Sequence, residues 1–251
     1  LIARRIRELN VYSEIVPPDF RIEDYSRIKE VEGIVISGGP SSVYDRDAVF
    51  VDESILKIGV PVLGICYGHQ LIAKIFGGKV NRAKRREYGA MKIRITKKSP
   101  IFDGLEEEQV VWMSHGDIVE IPPPDFEVIA VSEYGEIAAL HNEKLKIYTT
   151  QFHPEVKHTK NGMRILDNFL RVCISKRVWD LGDLVSKKIE YIKSVVGNGK
   201  VIMAVSGGVD STVSAYLISK AIGDRLYCVF IDTGLMRGDE KEFLKRTFER
   251  L

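Results

Sequence analysis

The sequence predicts an α/β protein of two domains, each an open, mostly parallel sheet flanked by helices. Three observations carry this. The apolar run 60–65 leads through Cys66 into a helix-like stretch reaching Phe76, and the apolar run 201–205 leads through a glycine loop into another reaching Ile222. Both are strand, turn and helix in succession, the unit from which parallel sheets are built. Between them Ser175, Lys176, Arg177 and Val178 form a short polar link, which puts the expected domains at 1–178 and 179–251.

At 251 residues, with 45% hydrophobic and 29% charged side chains, the chain has material for two modest domains. A formal charge of +2 leaves no large basic surface, so no nucleic-acid partner is expected. Cys66, Cys173 and Cys228 are widely spaced and lack metal-ligand patterning, which fits a reducing compartment rather than disulfides or structural zinc. No apolar run approaches the roughly 20 residues of a membrane span, and no signal-peptide pattern is present. The expectation is a cytoplasmic enzyme or binding protein that does not engage a membrane.

Leu1, Ile2, Ile6 and Leu9 make a helical stripe, and with no initiator methionine the chain reads as trimmed at its front, inside an element. Residues 11–16 read as a strand closed by Pro17 and Pro18, and 33–37 as a second strand running into Gly38, Gly39, Pro40 and Ser41. Bare backbone N–H groups at the carboxyl end of a strand lie where open α/β sheets bind ligands. Residues 48–58 read as a helix.

The elbow at Cys66 follows. A nucleophile at such a corner sits on a sharply bent backbone, so the residues two before and two after it must be small. Gly64 and Gly68 occupy those positions. The sulfur would stand over the N-terminus of the next helix, whose partial positive charge attracts an anion. A Gly39 N–H with the Tyr67 N–H would make a two-donor oxyanion hole. Gly77 and Gly78 stop the helix, and short strands then alternate with turns at 91–95, 110–112, 128–131, 137–140 and 147–152. Ser114, His115, Gly116 and Asp117 read as a compact polar loop among them. The last strand ends in Gln151-Phe152-His153-Pro154-Glu155, where Pro154 stops strand pairing and Glu155 can orient His153. Cysteine, histidine and carboxylate form the thiol version of the acyl-transfer triad.

Gly64-Ile65-Cys66-Tyr67-Gly68-His69-Gln70, together with Gln151-Phe152-His153-Pro154-Glu155, resembles the class I (triad) glutamine amidotransferase family, and Ser37-Gly38-Gly39-Pro40 matches its oxyanion strand. The resemblance spans nearly all of the first domain. It implies hydrolysis of the glutamine side-chain amide, with Cys66 attacking, His153 moving the proton, Glu155 orienting His153, and Gly39 and Tyr67 holding the oxyanion. Gln70, Ser114 and His115 fall where the family grips glutamine. One departure is that the family's first strand has no counterpart, so the sheet is expected to lack a central strand.

Residues 163–174 read as the helix closing the first domain, and in the second Leu181, Leu184, Val185, Ile189, Ile192 and Val196 repeat at helical spacing up to Gly197. The strand 201–205 then enters Ser206, Gly207, Gly208, Val209, Asp210, Ser211 and Thr212. Strand, glycine loop and helix cradle phosphate, because the loop's N–H groups and the helix N-terminus point at the anion. The hydroxyls of Ser206, Ser211 and Thr212 can donate to phosphate oxygens, and Asp210 is a candidate ligand for Mg²⁺. The strand 226–231 runs into Asp232-Thr233-Gly234-Leu235-Met236-Arg237.

This stretch resembles the pyrophosphatase-loop ATP family, and a triad amidotransferase in front of it is similar to the GMP-synthesising members of that family. The resemblance implies ATP and Mg²⁺ as cofactors, and glutamine, ATP and xanthosine monophosphate (XMP) as substrates. ATP adenylates XMP, and glutamine-derived ammonia displaces AMP to give GMP. It also implies that the remainder of an incomplete, Rossmann-like ATP domain, and a C-terminal domain forming a homodimer, lie past Leu251. Alternatives are an NAD synthetase-like ligase, whose glutaminase has another fold and Glu-Lys-Cys chemistry, and a tRNA-thiolating enzyme, which would want a cysteine pair where only Cys228 is near. A binding protein with an inert first half is the third, and the intact Cys66, His153 and Glu155 speak against it.

Overall fold

A computed structural model describes residues 1–21, 28–46, 48–232 and 240–248, divided at Val178 into two units, Leu1–Val178 and Trp179–Leu251. The first unit begins with helix α1 (Ile2–Glu8) and strand β1 (Ile34–Ile36). Strand β2 (Val62–Ile65) and helix α2 (Tyr67–Ile75) follow. Then come β3 (Lys79–Ile95), β4 (Glu108–Ile121), β5 (Glu127–Ser132), β6 (Ile137–Asn142), β7 (Ile147–Thr150) and helix α3 (Gly162–Val172).

The strands form one sheet in the order β1-β2-β7-β6-β5-β3-β4. The expected parallel pairing holds for β1, β2 and β7, while the other four strands join antiparallel, so the sheet is mixed. The four-residue turns 133–136 and 143–146 explain the β5–β6 and β6–β7 pairings, since a parallel neighbour needs a long crossover and a tight turn delivers an antiparallel one.

Every residue of β2 is buried, because both faces of the sheet are covered. Leu63 and Ile65 pack with Ile165, Leu166 and Phe169 of α3 on one side. Val62 packs with Leu71, Ile72 and Ala73 of α2 on the other. Thus the alternation along one strand sorts its side chains into two layers of core.

Three local expectations are corrected. Residues 11–16 form no strand. The Val11 N–H returns to the Ile6 carbonyl and the Arg7 guanidinium donates to the Ser13 carbonyl, so this stretch is tied to the end of α1 instead of a neighbouring strand. The expected helix at 48–58 is reduced to one 3₁₀ turn, Glu53–Leu56, started by the Asp52 carboxylate accepting from the Ser54 N–H. The β-branched Val49 and Val51 before it disfavour an earlier start. The polar stretch 114–117 is no loop but lies inside β4, paired to β3 through Tyr88↔Ser114, Glu87↔His115 and Arg82↔Asp117.

The second unit holds α4 (Leu181–Val196), β8 (Val201–Ala204), α5 (Val209–Ile222), β9 (Leu226–Val229) and α6 (Glu240–Phe248). β8 and β9 pair parallel, as a strand–helix–strand crossover requires. Residues 233–237 of the stretch after β9 lie outside the described residues. Among the described residues no helix is long and apolar enough to cross a membrane.

Candidate active site

Cys66 is the hinge between β2 and α2 and adopts φ 52° and ψ −102°, a conformation L-residues rarely take. Such a residue costs on the order of 1–3 kcal/mol and persists only where its surroundings over-determine it. Here they do. A Cβ on Gly64 would sit 2.7 Å from the Gly68 carbonyl oxygen, and one on Gly68 would sit 2.3 Å from the Ile36 carbonyl oxygen. The two glycines are therefore demanded by close backbone approach. The Cys66 N–H donates to the Thr150 carbonyl at 2.8 Å, which continues the β2–β7 ladder into the corner.

His153 leaves the sheet just past β7. Its backbone is held at both ends, with N–H donating to the Trp112 carbonyl at 3.0 Å and C=O accepting from the Thr159 hydroxyl at 2.6 Å. Nδ1 lies 2.8 Å from Glu155 Oε1. Burial pushes the ring's pKa down, but hydrogen bonds to Cys66 and Glu155, and the charges on both, outweigh burial and push it up to about 10. The structure thus brings Cys66, His153 and Glu155 together. Glu155 is buried, its Oε2 has no hydrogen-bond partner among the described residues, and its carbonyl accepts from Arg5 Nε at 3.0 Å.

Gly39 and Tyr67 also converge, since a Cβ on Gly39 would lie 3.8 Å from Tyr67 Cβ. Tyr67 is the first residue of α2, so its N–H has no carbonyl one turn earlier to receive it. Gly38 is the more constrained of the pair. A Cβ there would come within 2.9 Å of His153 Cε1 and 3.3 Å of Cys66 Cβ. Any larger residue at 38 would wedge histidine and cysteine apart.

Of the residues expected to grip glutamine, Gln70 is buried and donates through Nε2 to the Asp117 carbonyl at 2.9 Å and to Gln151 Oε1 at 3.1 Å. The Ser114 carbonyl faces Cys66 Sγ at 3.7 Å. His115 is buried against Glu87 and the Asp117 carbonyl. An open cavity of about 390 Å³ is lined by Ser42, Tyr44, Asp45, Asn81, Arg82 and Asp117.

In the second unit the loop after β8 is knitted by its own hydroxyls. Ser211 Oγ donates to the Gly208 carbonyl at 3.0 Å, Thr212 Oγ1 to the same carbonyl at 2.9 Å, and the Gly208 N–H donates to Ser206 Oγ at 3.3 Å. At the start of α5 the N–H groups of Val209, Asp210 and Ser211 have no carbonyl one turn earlier within the helix to receive them. Gly207 has φ +80°, and a Cβ there would meet Leu244 Cδ2 at 2.3 Å. Asp210 is exposed in the first turn of α5. Among the described residues no group of three or more His, Cys, Asp or Glu could hold a metal ion by itself.

Sequence reasoning named Gly38 and Gln151 only as members of their motifs, without a role of their own, and missed Glu87. Glu87 follows Lys84, Arg85 and Arg86 and so reads as one more surface charge; its pairing opposite His115 in the ladder is what reveals it.

Residues 1–173 match the family model described as glutamine amidotransferase class-I. A glutamine-hydrolysing GMP synthase of Caldanaerobacter subterraneus is 49% identical over 251 residues, covering 100% of this chain and 49% of that protein. The enzyme of the same name from Aquifex aeolicus is 50% identical over 252 residues, with 100% and 49% covered. A solved structure from Thermoplasma acidophilum, provisionally described as one subunit of a GMP synthase, has 36% identity and a TM-score of 0.60, over 68% of this chain and 86% of that one. The chain spans about half the length of the curated relatives it matches.

Proposed function

The chain belongs to the class I glutamine amidotransferases, and from that premise we propose that its first unit hydrolyses the side-chain amide of glutamine. The observation that carries the reading is that Gly38 is flanked at once by Cys66 and by His153, and that His153 Nδ1 lies 2.8 Å from Glu155 Oε1. Cys66 Sγ attacks the amide carbon, and the carbonyl π electrons move onto oxygen, where the N–H groups of Gly39 and Tyr67 receive them. When the adduct collapses, the C–N bond breaks, the nitrogen takes a proton from the His153 imidazolium, and ammonia leaves. A thioester remains on Cys66. Water attacks it, His153 takes the water's proton, and the C–S bond breaks to free glutamate. Glu155 holds the ring's tautomer and balances its charge throughout. Gln70, Ser114 and His115 would form the wall against which glutamine lies.

In the second unit, residues Ser206 to Thr212 would hold the phosphates of ATP, chiefly through the N–H groups at the start of α5. Mg²⁺ suits the donor chemistry there, because carboxylate and hydroxyl are hard oxygen ligands. Asp210 would hold it together with phosphate oxygens, and the ion would neutralise phosphate charge. The whole protein would then adenylate XMP with ATP and let the ammonia displace AMP, forming GMP. The names of the curated relatives and their alignment over both units support this. On the same reading the protein is a cytoplasmic homodimer, with the acceptor pocket and dimer contact in the part of the relatives' length that this chain does not span.

The test is ammonia release from glutamine by the full-length protein and by its Cys66→Ala variant. Loss of about 10⁴-fold or more in the variant is expected, and equal rates would remove the triad. Offering XMP, deamido-NAD and aspartate as acceptors then decides the product, with XMP alone expected to be aminated.

A further inference from the structure

Behind the elbow lies a buried pair in which Glu87 has no part in the hydrolysis above, although its partner His115 belongs to the glutamine wall. Glu87 on β3 and His115 on β4 face each other across the ladder, with both side chains 2% exposed and His115 Nε2 3.1 Å from Glu87 Oε2. The other ring nitrogen, Nδ1, lies 2.9 Å from the Asp117 carbonyl oxygen. A carbonyl can only accept, so Nδ1 carries a hydrogen. The Nε2···Oε2 contact then needs a second proton, on the ring or on the carboxyl. In either placement the two groups share one proton and the pair is neutral overall. Ser132 Oγ donates to the second carboxyl oxygen at 3.0 Å, so Glu87 is seated from both sides.

This pair holds a segment that the sheet holds poorly. The β3–β4 register breaks between Arg82 and Glu87, so Gly116 has no partner among the described residues of the ladder. Yet the segment borders the reactive sulfur: the Ser114 carbonyl is 3.7 Å from Cys66 Sγ, and the Asp117 carbonyl also receives Gln70 Nε2. Asp117 lines the open cavity of about 390 Å³ as well.

We propose that Glu87 is a positioning residue for amide hydrolysis. Through its shared-proton bond to His115 it fixes 114–117 as the wall of the space beside Cys66 where the amide must lie. This rests on the glutaminase reading.

Two rates separate the possibilities: kcat/KM for glutamine, and alkylation of Cys66 by iodoacetamide, both measured in the full-length protein. Glu87→Ala is expected to lower kcat/KM by about tenfold to a hundredfold, the scale of a misplaced binding wall. Alkylation should stay within about twofold of wild type, because His153 and Glu155 are untouched. Glu87→Gln, whose amide can donate to Nε2 of a neutral ring, should keep kcat/KM within about threefold. A folded Glu87→Ala protein with wild-type kcat/KM overturns the proposal, as does parallel loss of both rates, or Glu87→Gln failing as badly as the alanine. Should Glu87→Ala not fold, Ser132→Ala, which unseats the carboxyl from one side, is expected to lose about two- to fivefold in kcat/KM with alkylation unchanged. No loss there overturns it too. A wild-type protein that is alkylated at Cys66 but frees no ammonia from glutamine refutes the hydrolysis reading itself, and the proposal with it.

Discussion

The elbow at Cys66 and the loop at Ser206 share a local plan of strand, turn and helix, and they are held in place by opposite means. Around Cys66 the contacts come from far along the chain: Ile36 presses on Gly68, Thr150 receives the Cys66 N–H, and Gly38 abuts His153. Around Ser206 most of the bonds close within six residues, from the hydroxyls of Ser206, Ser211 and Thr212 onto Gly208, and the side chains stay exposed or half-buried. A strained backbone needs distant walls to keep it strained, whereas a glycine loop at a helix N-terminus can be closed by its own hydroxyls.

Asp210→Ala provides the largest test of that contrast. Exchange of pyrophosphate into ATP by the full-length protein is expected to fall by about a hundredfold or more, with ammonia release from glutamine unchanged. Survival of exchange would show that the loop does not hold the triphosphate. Next comes glycine substitution at matched places. Gly68→Ala must push against the Ile36 carbonyl at 2.3 Å and is expected to cost about 3 kcal/mol or more. Gly208→Ala meets only Ser206 Oγ at 3.4 Å and should cost less than about 1 kcal/mol. Urea midpoints of the two variants in the same chain measure the difference, and equal costs would erase the contrast between distant walls and local bonds.

A smaller effect concerns His153. Its folded pKa is raised to about 10, so the stability from its charge is complete below about 6.5 and is lost as pH rises through 10. An NMR titration of the ring should find it protonated at pH 8. Glu155→Gln should bring the midpoint down by about one unit or more; a wild-type midpoint near the ordinary histidine value would contradict the coupling to Cys66 and Glu155. His69 gives the opposite signal. It is fully buried, with Nδ1 2.7 Å from Thr149 Oγ1, and burial lowers its pKa to about 3. The unfolded chain therefore binds the extra proton below about 6.5, and stability falls with pH from there toward 3, by at most about 1.4 kcal/mol per pH unit. His69→Leu should flatten that slope between pH 6 and 4, and an unaltered slope would assign the acid sensitivity elsewhere.

Much of the first site was legible along the chain because its chemistry sits at element ends, where glycine, proline and cysteine leave local marks. Cys66 between Gly64 and Gly68, and His153 before Pro154, are such places. The interior of β4 was not legible. Ser114, His115, Gly116 and Asp117 have turn-like composition, and only the ladder to β3 shows them as strand. The run 11–16 failed for the converse reason, since an apolar, alternating stretch becomes a strand only if another strand lies beside it.

By itself the amino-acid sequence determined the two strand–turn–helix corners and the candidates for nucleophile, base and orienting carboxylate, because these follow from which residue types tolerate a sharp bend at a given spacing. Tertiary structure alone decided that β3 to β6 join antiparallel, that Gly38 must be bare, and that Glu87 and His115 face each other inside the sheet. Those facts depend on which backbone lies next to which, and side chains acquire partners only once the layers have packed.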